Sequence, residues 1–276
     1  MATHEKNRTI TQAMAFFWRE AHFKKRHFMW QLVWIVYDLM WALSIGFLGT
    51  GIASVSGAPV NTQHLVLYLL VGSFMWTYLS SVFSIVSSAI VWERWEGTIE
   101  YTFMAPVKRL THLLGTALFA IPFGIIRLII VFAISAPIFH LNLAGANLVT
   151  AAFLIGISSL PFIGLGIVVA VFPLIDQQNG DKAPSFAEAI IMMVSGIYYP
   201  IAALPLWLQF IAHLSPATYA LEGVRAAVLD GASIPAVWQY TWPLLLLAII
   251  LIPLGNWVFI LGERHAKRTG KLKREG

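Results

Sequence analysis

The sequence predicts an all-α integral membrane protein with six transmembrane helices, and its composition and hydropathy pattern lead to that fold class. Of its 276 residues, 58% are hydrophobic and only 11% are charged, whereas roughly a quarter of residues are charged in soluble domains. The hydrophobic residues lie in long segments that basic residues flank. Too few polar residues remain to cover a soluble domain, so residues 1–276 are expected to form a single transmembrane domain.

An amphipathic helix at the membrane interface is predicted over residues 9–26. Thr9 followed by Gln12 has the spacing of a capping box. The apolar residues that recur at helical spacing are Ile10, Met14, Phe17, Trp18 and Ala21. Such a helix is expected to lie along the membrane surface. It either transmits motion from a cytoplasmic partner or acts as a passive anchor.

Six apolar segments are expected to cross the bilayer. A helix needs about 20 apolar residues to span a hydrocarbon core of about 30 Å, because its backbone must satisfy its own hydrogen bonds. The predicted spans are residues 28–49, 64–91, 113–139, 147–173, 185–199 and 238–261. The fifth is the shortest and falls below the length that a span needs.

Basic residues predict that both chain ends face the cytoplasm of a plasma or inner membrane, because cytoplasmic flanks are enriched in Lys and Arg. These flanking residues are Lys6, Arg8, Arg19, Lys24, Lys25 and Arg26 before the first span, and Arg264, Lys267, Arg268, Lys271, Lys273 and Arg274 after the last. Their position beside apolar spans indicates contact with lipid headgroups rather than nucleic acid. A cleaved signal peptide is not expected, because no uninterrupted apolar segment precedes residue 28.

The loop between the second and third spans, residues 92–106, is too polar to cross a membrane and is strongly patterned. A helical projection places three acids together, Glu93, Glu96 and Glu100, beside an apolar stripe, Trp92, Trp95, Ile99 and Phe103. Gly97 allows a bend, and Pro106 ends the segment. The residues alone are compatible with a solvated amphipathic connector or with a docking surface for another protein.

Residues 200–231, between the fifth and sixth spans, are expected to form two outer re-entrant or surface helices. The segments 206–213 and 217–229 are too short to cross. Ser215 followed by Pro216 suits a helix start. On the second helix, Tyr219, Glu222 and Arg225 are candidate functional residues. Glu222 and Arg225 are three residues apart, so we expect them either to stabilise each other or to line an exit.

Three charged residues lie inside predicted spans, where ionisable groups need partners. Asp38 and Arg127 either pair with each other for structure or contact a substrate in a pathway. Glu188 either gates a cytoplasmic entrance or simply reaches water. No cysteine is present, and no histidine or carboxylate spacing is typical of a metal site or a catalytic centre. Neither catalytic residues nor metal ligands are therefore predicted.

Two tracts resemble the permease subunits of type-2 ABC exporters. In the first cytoplasmic loop, Glu93, Gly97, Thr98 and Glu100 fit the Glu-x-x-x-Gly-Thr-x-Glu pattern that is followed by a hydroxyl residue and proline, here Pro106. The second tract, residues 214–225, is similar to the family's Asn-Pro-hydroxyl-Tyr-Ala-x-Glu-x-Arg segment. The departures from these patterns are Ala105 before the proline and Ser215 in place of asparagine.

This resemblance implies that residues 92–106 form a coupling helix inserted into a groove of an ATP-hydrolysing subunit. The implied docking residues are Glu93, Glu96, Gly97, Thr98, Glu100, Phe103 and Pro106. The chain has no phosphate-binding loop, so ATP and Mg are expected on two copies of a separate ABC ATPase, and this chain is expected to bind no cofactor. The resemblance also implies a dimer, formed with a second copy or a related permease.

Export of an amphipathic drug, lipid or glycan-linked substrate is the function that the resemblance implies. The alternative is an ion channel or an ion-coupled secondary transporter in which Asp38, Arg127 and Glu188 bind the ion.

Overall fold

The computed structural model describes residues 2–55, 62–176 and 178–270, and all regular elements in these ranges are helices. The α-helices are α1 Ala2–Arg26, α2 Phe28–Val55, α3 Thr62–Ser87, α4 Ala89–Trp95, α5 Ile99–Met104, α6 Arg109–Ile138, α7 Leu148–Val169, α8 Phe172–Ile175, α9 Ala183–Val194, α10 Leu206–Leu214, α11 Pro216–Leu229 and α12 Trp238–Arg268. Two short 3-10 helices lie at Gly180–Lys182 and Ile201–Ala203. The prediction of an all-α membrane protein is confirmed.

Five helical segments in the described part of the chain are long and apolar enough to cross a membrane. They are Phe28–Ile52, Thr62–Ser87, Arg109–Ile138, Leu148–Ile175 and Trp238–Arg268. The second of these, α3, is largely buried, whereas α2 and α12 are mostly exposed. The core therefore forms around α3, which packs against α2, α6, α7, α9 and α11.

The segment predicted as the fifth span, residues 185–199, contains a half-length helix instead of a full one. The helix α9 has 12 residues, so it is about 18 Å long. It ends at Val194, and two residues later Gly196 has a φ of 67°, which a side chain would disfavour. Arg225 of α11 donates hydrogen bonds to the carbonyls of Gly196 and Ile197 at 3.0 and 2.5 Å. Arg225 thus satisfies carbonyls of the turn that follows α9.

The two predicted outer helices correspond to α10 and α11. Most of α11 is buried, whereas α10 exposes large apolar side chains such as Trp207 and Phe210. Tyr219 donates a hydrogen bond to the His213 carbonyl at 2.8 Å and so ties the two helices together. Glu222 and Arg225 have different environments: Glu222 is exposed, while Arg225 is buried and lies 3.7 Å from the centre of the Tyr68 ring.

One end of the bundle gathers elements that are distant in sequence. Residues 88–108, which link α3 to α6 and which we call the connector, lie there, so we call it the connector end. Here Arg109, at the start of α6, contacts Glu263, near the end of α12, at 3.0 Å. The helix α1 packs along the start of α6, where Ala13 lies against Gly115. At the opposite end, the Asn147 amide before α7 donates to the Ala227 carbonyl of α11 at 2.8 Å.

The predicted interfacial helix is part of α1, which extends from Ala2 to Arg26. Its apolar stripe has two environments: Phe17 and Ala21 pack against the core, whereas Ile10, Met14 and Trp18 remain exposed. Among the basic residues predicted to flank the spans, Lys271, Lys273 and Arg274 lie outside the described residues, as do the side chains of Lys6 and Arg8.

Candidate docking site

The connector, residues 88–108, links α3 to α6 through two short helices rather than one helix over 92–106. The break lies at Gly97, which has a φ of 70°. The Gly97 amide donates to the Arg94 carbonyl at 3.0 Å, and the Thr98 amide donates to the Glu93 carbonyl at 2.9 Å. This pair of hydrogen bonds is a Schellman motif, which ends α4 and redirects the chain into α5.

The second connector helix, α5, is held against the bundle by Arg109. Its guanidinium donates to the Thr102 and Phe103 carbonyls at 2.9 and 2.8 Å and lies 4.5 Å from the centre of the Phe103 ring. Ala105 is extended, as expected before Pro106. Because Arg109 also pairs with Glu263, α5, α6 and α12 are joined at one point.

The first connector helix, α4, carries a buried ionic cluster. Glu93 is 2% exposed, and its Oε1 lies 2.6 Å from Arg19 Nη1 of α1 and 3.1 Å from His112 Nε2 of α6. Burial alone would raise the pKa of the Glu93 carboxyl, but His112 and Arg19 lower that pKa by more, so it lies below its usual value. Glu93 is therefore a charged link between three helices.

A second ion pair joins α1 to the connector at the surface, between Arg26 and Glu96. Arg19 and Arg26 are seven residues apart, so they lie on one face of α1. Between them, Phe23 is buried and its ring centre lies 5.2 Å from that of Trp92. One face of α1 thus contacts the connector through two ion pairs and an aromatic contact.

The opposite face of the connector is exposed and strongly apolar. Trp95, Tyr101 and Met104 are 79%, 78% and 84% exposed. Glu100 and Pro106 are exposed beside them. We call these five residues the outer connector face. The connector therefore differs from the single helix projected from the sequence. Glu93 faces inward, Glu96 faces α1 and only Glu100 faces outward. Ile99 and Phe103 are buried.

Comparison with known proteins identifies the family. The sequence model of the ABC-2 type transporter family matches residues 11–229, which include most of α1, the connector and α11. The chain belongs to the ABC-2 type transporter family. This match confirms the predicted resemblance to the type-2 ABC permeases.

Two relatives of this permease come from Escherichia coli strain K12. The probable multidrug ABC transporter permease YbhR is 26% identical over 166 residues, which cover 60% of this chain and 45% of that protein. The inner membrane transport permease YadH is 23% identical over 207 residues, covering 74% of this chain and 79% of that protein. The chain therefore spans about half the length of the first relative.

The charged residues predicted inside the spans of this permease lie around one cavity of about 500 Å³. Arg127 of α6 donates through Nε to Asp38 Oδ2 of α2 at 3.0 Å and through Nη1 to Ser81 Oγ of α3 at 3.3 Å. Glu188 of α9 accepts a hydrogen bond from Ser80 Oγ at 3.3 Å. The structure thus joins Asp38 to Arg127 and places Glu188 in the wall of the same cavity.

The sequence did not reveal the partners that hold the connector in place. These partners are Arg19, Arg26, Arg109, His112 and Glu263. The seven-residue spacing of the two arginines on α1 was a usable signal, since it places both charges on one helical face. His112 lies at a predicted span end, and the sequence contains no signal that it contacts Glu93; among the described residues no group of three or more His, Asp or Glu side chains could hold a metal ion.

Proposed function

We propose that this permease is the membrane-spanning subunit of an ATP-driven exporter in the inner membrane, with both chain ends cytoplasmic. It would move an amphipathic substrate out of the cytoplasm as part of a complex with two ABC ATPase subunits and a second permease chain. ATP and Mg would bind to the ATPase. The observation that carries this proposal is the outer connector face, an exposed apolar surface at the end of the bundle where α1, α4, α5, α6 and α12 are tied together.

The chemistry of the outer connector face suits a protein partner. Tryptophan, tyrosine and methionine are enriched in protein interfaces, and the first two are frequent among the residues that dominate binding energy. Trp95, Tyr101 and Met104 are all more than three-quarters exposed, although they lie outside the five candidate spans. Glu100 adds one charge at the edge of this surface. A groove on an ATPase would cover the apolar side chains and leave the carboxylate at its rim.

The inner face of the connector suits the transmission of force. Ile99 and Phe103 anchor α5 in the hydrophobic core, and Arg109 joins α5 to α12 through Glu263. Glu93 joins α4 to α1 and α6. A displacement of the outer face would therefore move α1, α6 and α12 together, which favours an active role for α1 over that of a passive anchor.

The path of the chain supports six membrane crossings. The helix α12 ends at the connector end, where Glu263 contacts Arg109, so α12 begins near the opposite end. The helix α9 is about 18 Å long, which is shorter than a hydrocarbon core of about 30 Å. The helices α10 and α11 then continue the chain to α12. We infer that α9 makes half of the fifth crossing and that α10 and α11 are the outer re-entrant pair completing it.

The test is co-purification of an ATPase with the full-length permease from membranes of its own cells. Tyr101→Ala combined with Met104→Ala removes two side chains of the outer connector face and no buried contact, so the ATPase recovered per permease is expected to fall about tenfold or more. The matched control is Leu206→Ala combined with Trp207→Ala, which truncates side chains that are 84% and 66% exposed on α10. Equal recovery of ATPase with both double variants would contradict the proposal.

A further inference from the structure

The cavity between α2, α3, α6 and α9 has the size and position of a ligand site. Its volume of about 500 Å³ is within the range typical of small-molecule sites. Three of the four helices that surround it are candidate membrane spans. It lies next to the connector end, because Ser88 and Trp92 contribute to its wall.

Two walls of the cavity run parallel and differ in chemistry. Aromatic residues on α2 form the first wall: Trp30, Trp34, Tyr37 and Trp41. Hydroxyl residues form the second: Thr77, Ser81 and Ser84 on α3, and Ser88 directly after it. Both sets have spacings of four, three and four residues, so each occupies one helical face over about 16 Å. The aromatic rings meet edge to face, with centres 6.3 Å apart for Trp30 and Trp34 and 5.8 Å apart for Trp34 and Tyr37.

The charges that line this cavity are not equally compensated. Arg127 and Asp38 neutralise each other. Lys24 lies over the Phe123 ring, 5.6 Å from its centre, and burial lowers the pKa of its amine to about 8, while Glu20 acts in the opposite direction. Glu188 has the Ser80 hydroxyl as a partner at 3.3 Å. Within the described part of the chain, its carboxylate makes no ion pair.

We propose that this cavity binds an organic cation with an apolar body, the positive charge facing Glu188 and the body lying against the α2 aromatic wall. A carboxylate in the wall of a cavity between membrane spans favours a counter-charge, and tryptophan faces attract cations. A neutral sugar could contact both walls but would bring no positive charge to Glu188, and an anion placed beside Glu188 would be repelled by its carboxylate. The inference rests on the proposed export function, for which it names the substrate class.

The test is equilibrium binding to purified full-length permease in detergent, without ATPase or nucleotide. The probes are radiolabelled tetraphenylphosphonium and tetraphenylborate, which have nearly the same size and shape but opposite charge. Tetraphenylphosphonium is expected to bind at least about tenfold more tightly. Glu188→Gln keeps the shape and removes the charge, so it should weaken binding of the cation by about tenfold or more and leave binding of the anion unchanged or stronger.

Asp181→Asn is the matched control, because it removes an exposed carboxylate beside α9 that does not line the cavity. It should bind tetraphenylphosphonium like the unmodified permease. Trp34→Ala should weaken binding of that cation by roughly three- to tenfold. Thermal unfolding and gel filtration establish that each variant is folded, and Glu188→Asp, which keeps the charge, should retain most of the affinity and serves as the folded reference if Glu188→Gln is unstable.

Equal affinity for the two probes would overturn the inference, as would unchanged cation binding in Glu188→Gln or complete competition by a neutral disaccharide. Because the assay contains no ATPase, these failures leave the exporter proposal intact. Cation binding without any co-purifying ATPase would support this inference and count against the exporter proposal alone.

Discussion

Two ionic clusters anchor α6 at different depths. They differ in how readily water can take the place of their ionic contacts. His112 belongs to the cluster at the connector end and lies about 4.5 Å from the start of α6, whereas Arg127 lies about 27 Å from it. In the first cluster, Glu93 faces two basic groups, and Arg19 remains 32% exposed. In the second, Asp38 and Arg127 are 13% and 14% exposed and pair only one to one.

This difference indicates that the two clusters have different tasks. A charge within a membrane span has no favourable alternative to its partner, so the Asp38–Arg127 pair fixes α2 to α6. At the connector end, Arg19 can exchange Glu93 for Glu20, to which it is already bonded at 2.9 Å. A single contact of the connector cluster can therefore be lost at moderate energetic cost, whereas the Asp38–Arg127 pair has no substitute partner of this kind.

Breaking the deeper pair should give the largest loss of stability. Asp38→Ala leaves the Arg127 guanidinium without its carboxylate in the membrane, at an expected cost of about 3–5 kcal/mol. Thermal unfolding in detergent measures this loss. The double variant Asp38→Asn with Arg127→Gln removes both charges and should be more stable than Asp38→Ala. If Asp38→Ala destabilised the permease no more than Ser81→Ala, which removes only the hydrogen bond that Ser81 accepts from Arg127, worth roughly 1.5–3 kcal/mol, the deeper pair would not be a structural link.

The connector cluster should make stability depend on pH. The pKa of Glu93 is lower in the folded permease than its ordinary value of 4.5. Its ionic contacts therefore stabilise the fold fully at pH values above 4.5, and this contribution is lost as the pH falls through the lower, folded pKa. The expected loss for Glu93→Gln at neutral pH is about 2–3 kcal/mol, since two basic groups lose a buried partner.

The measurement for Glu93 is thermal unfolding between pH 3 and pH 7. The difference in stability between the unmodified permease and Glu93→Gln should shrink as the pH falls below about 5. Glu100→Gln, which changes an exposed carboxylate of the same connector, is the control for general acid effects. A difference that grew as the pH fell would have the wrong sign and would contradict a charged Glu93.

The sequence predicted the apolar spans and the polar connector because both follow from local composition. It could not predict that Glu93 points inward, since that depends on where the Schellman turn at Gly97 directs α5 and on which face of α1 packs beside it. The half-length of α9 was hidden for a similar reason: residues 185–199 are apolar enough to continue as a helix. The hydrogen bonds that favour an early end come from Arg225, about 30 residues later in the sequence.

The surface pair between Arg26 and Glu96 should have the smallest effect, and it sharpens the comparison because it joins the same two elements as Arg19 and Glu93. Arg26 is 64% exposed, so water and salt screen the pair, and an exposed pair of this kind contributes about 0–1 kcal/mol. Glu96→Ala should therefore change thermal stability only slightly, and raising the salt concentration should abolish even that change. A loss for Glu96→Ala equal to that for Glu93→Gln, and insensitive to salt, would show that burial does not distinguish the two contacts of α1. A small, salt-sensitive loss for Glu96→Ala beside a larger loss for Glu93→Gln would show that Glu93 stabilises the contact between α1 and the connector. The Arg26–Glu96 pair would then be a contact that can break and re-form as the connector moves.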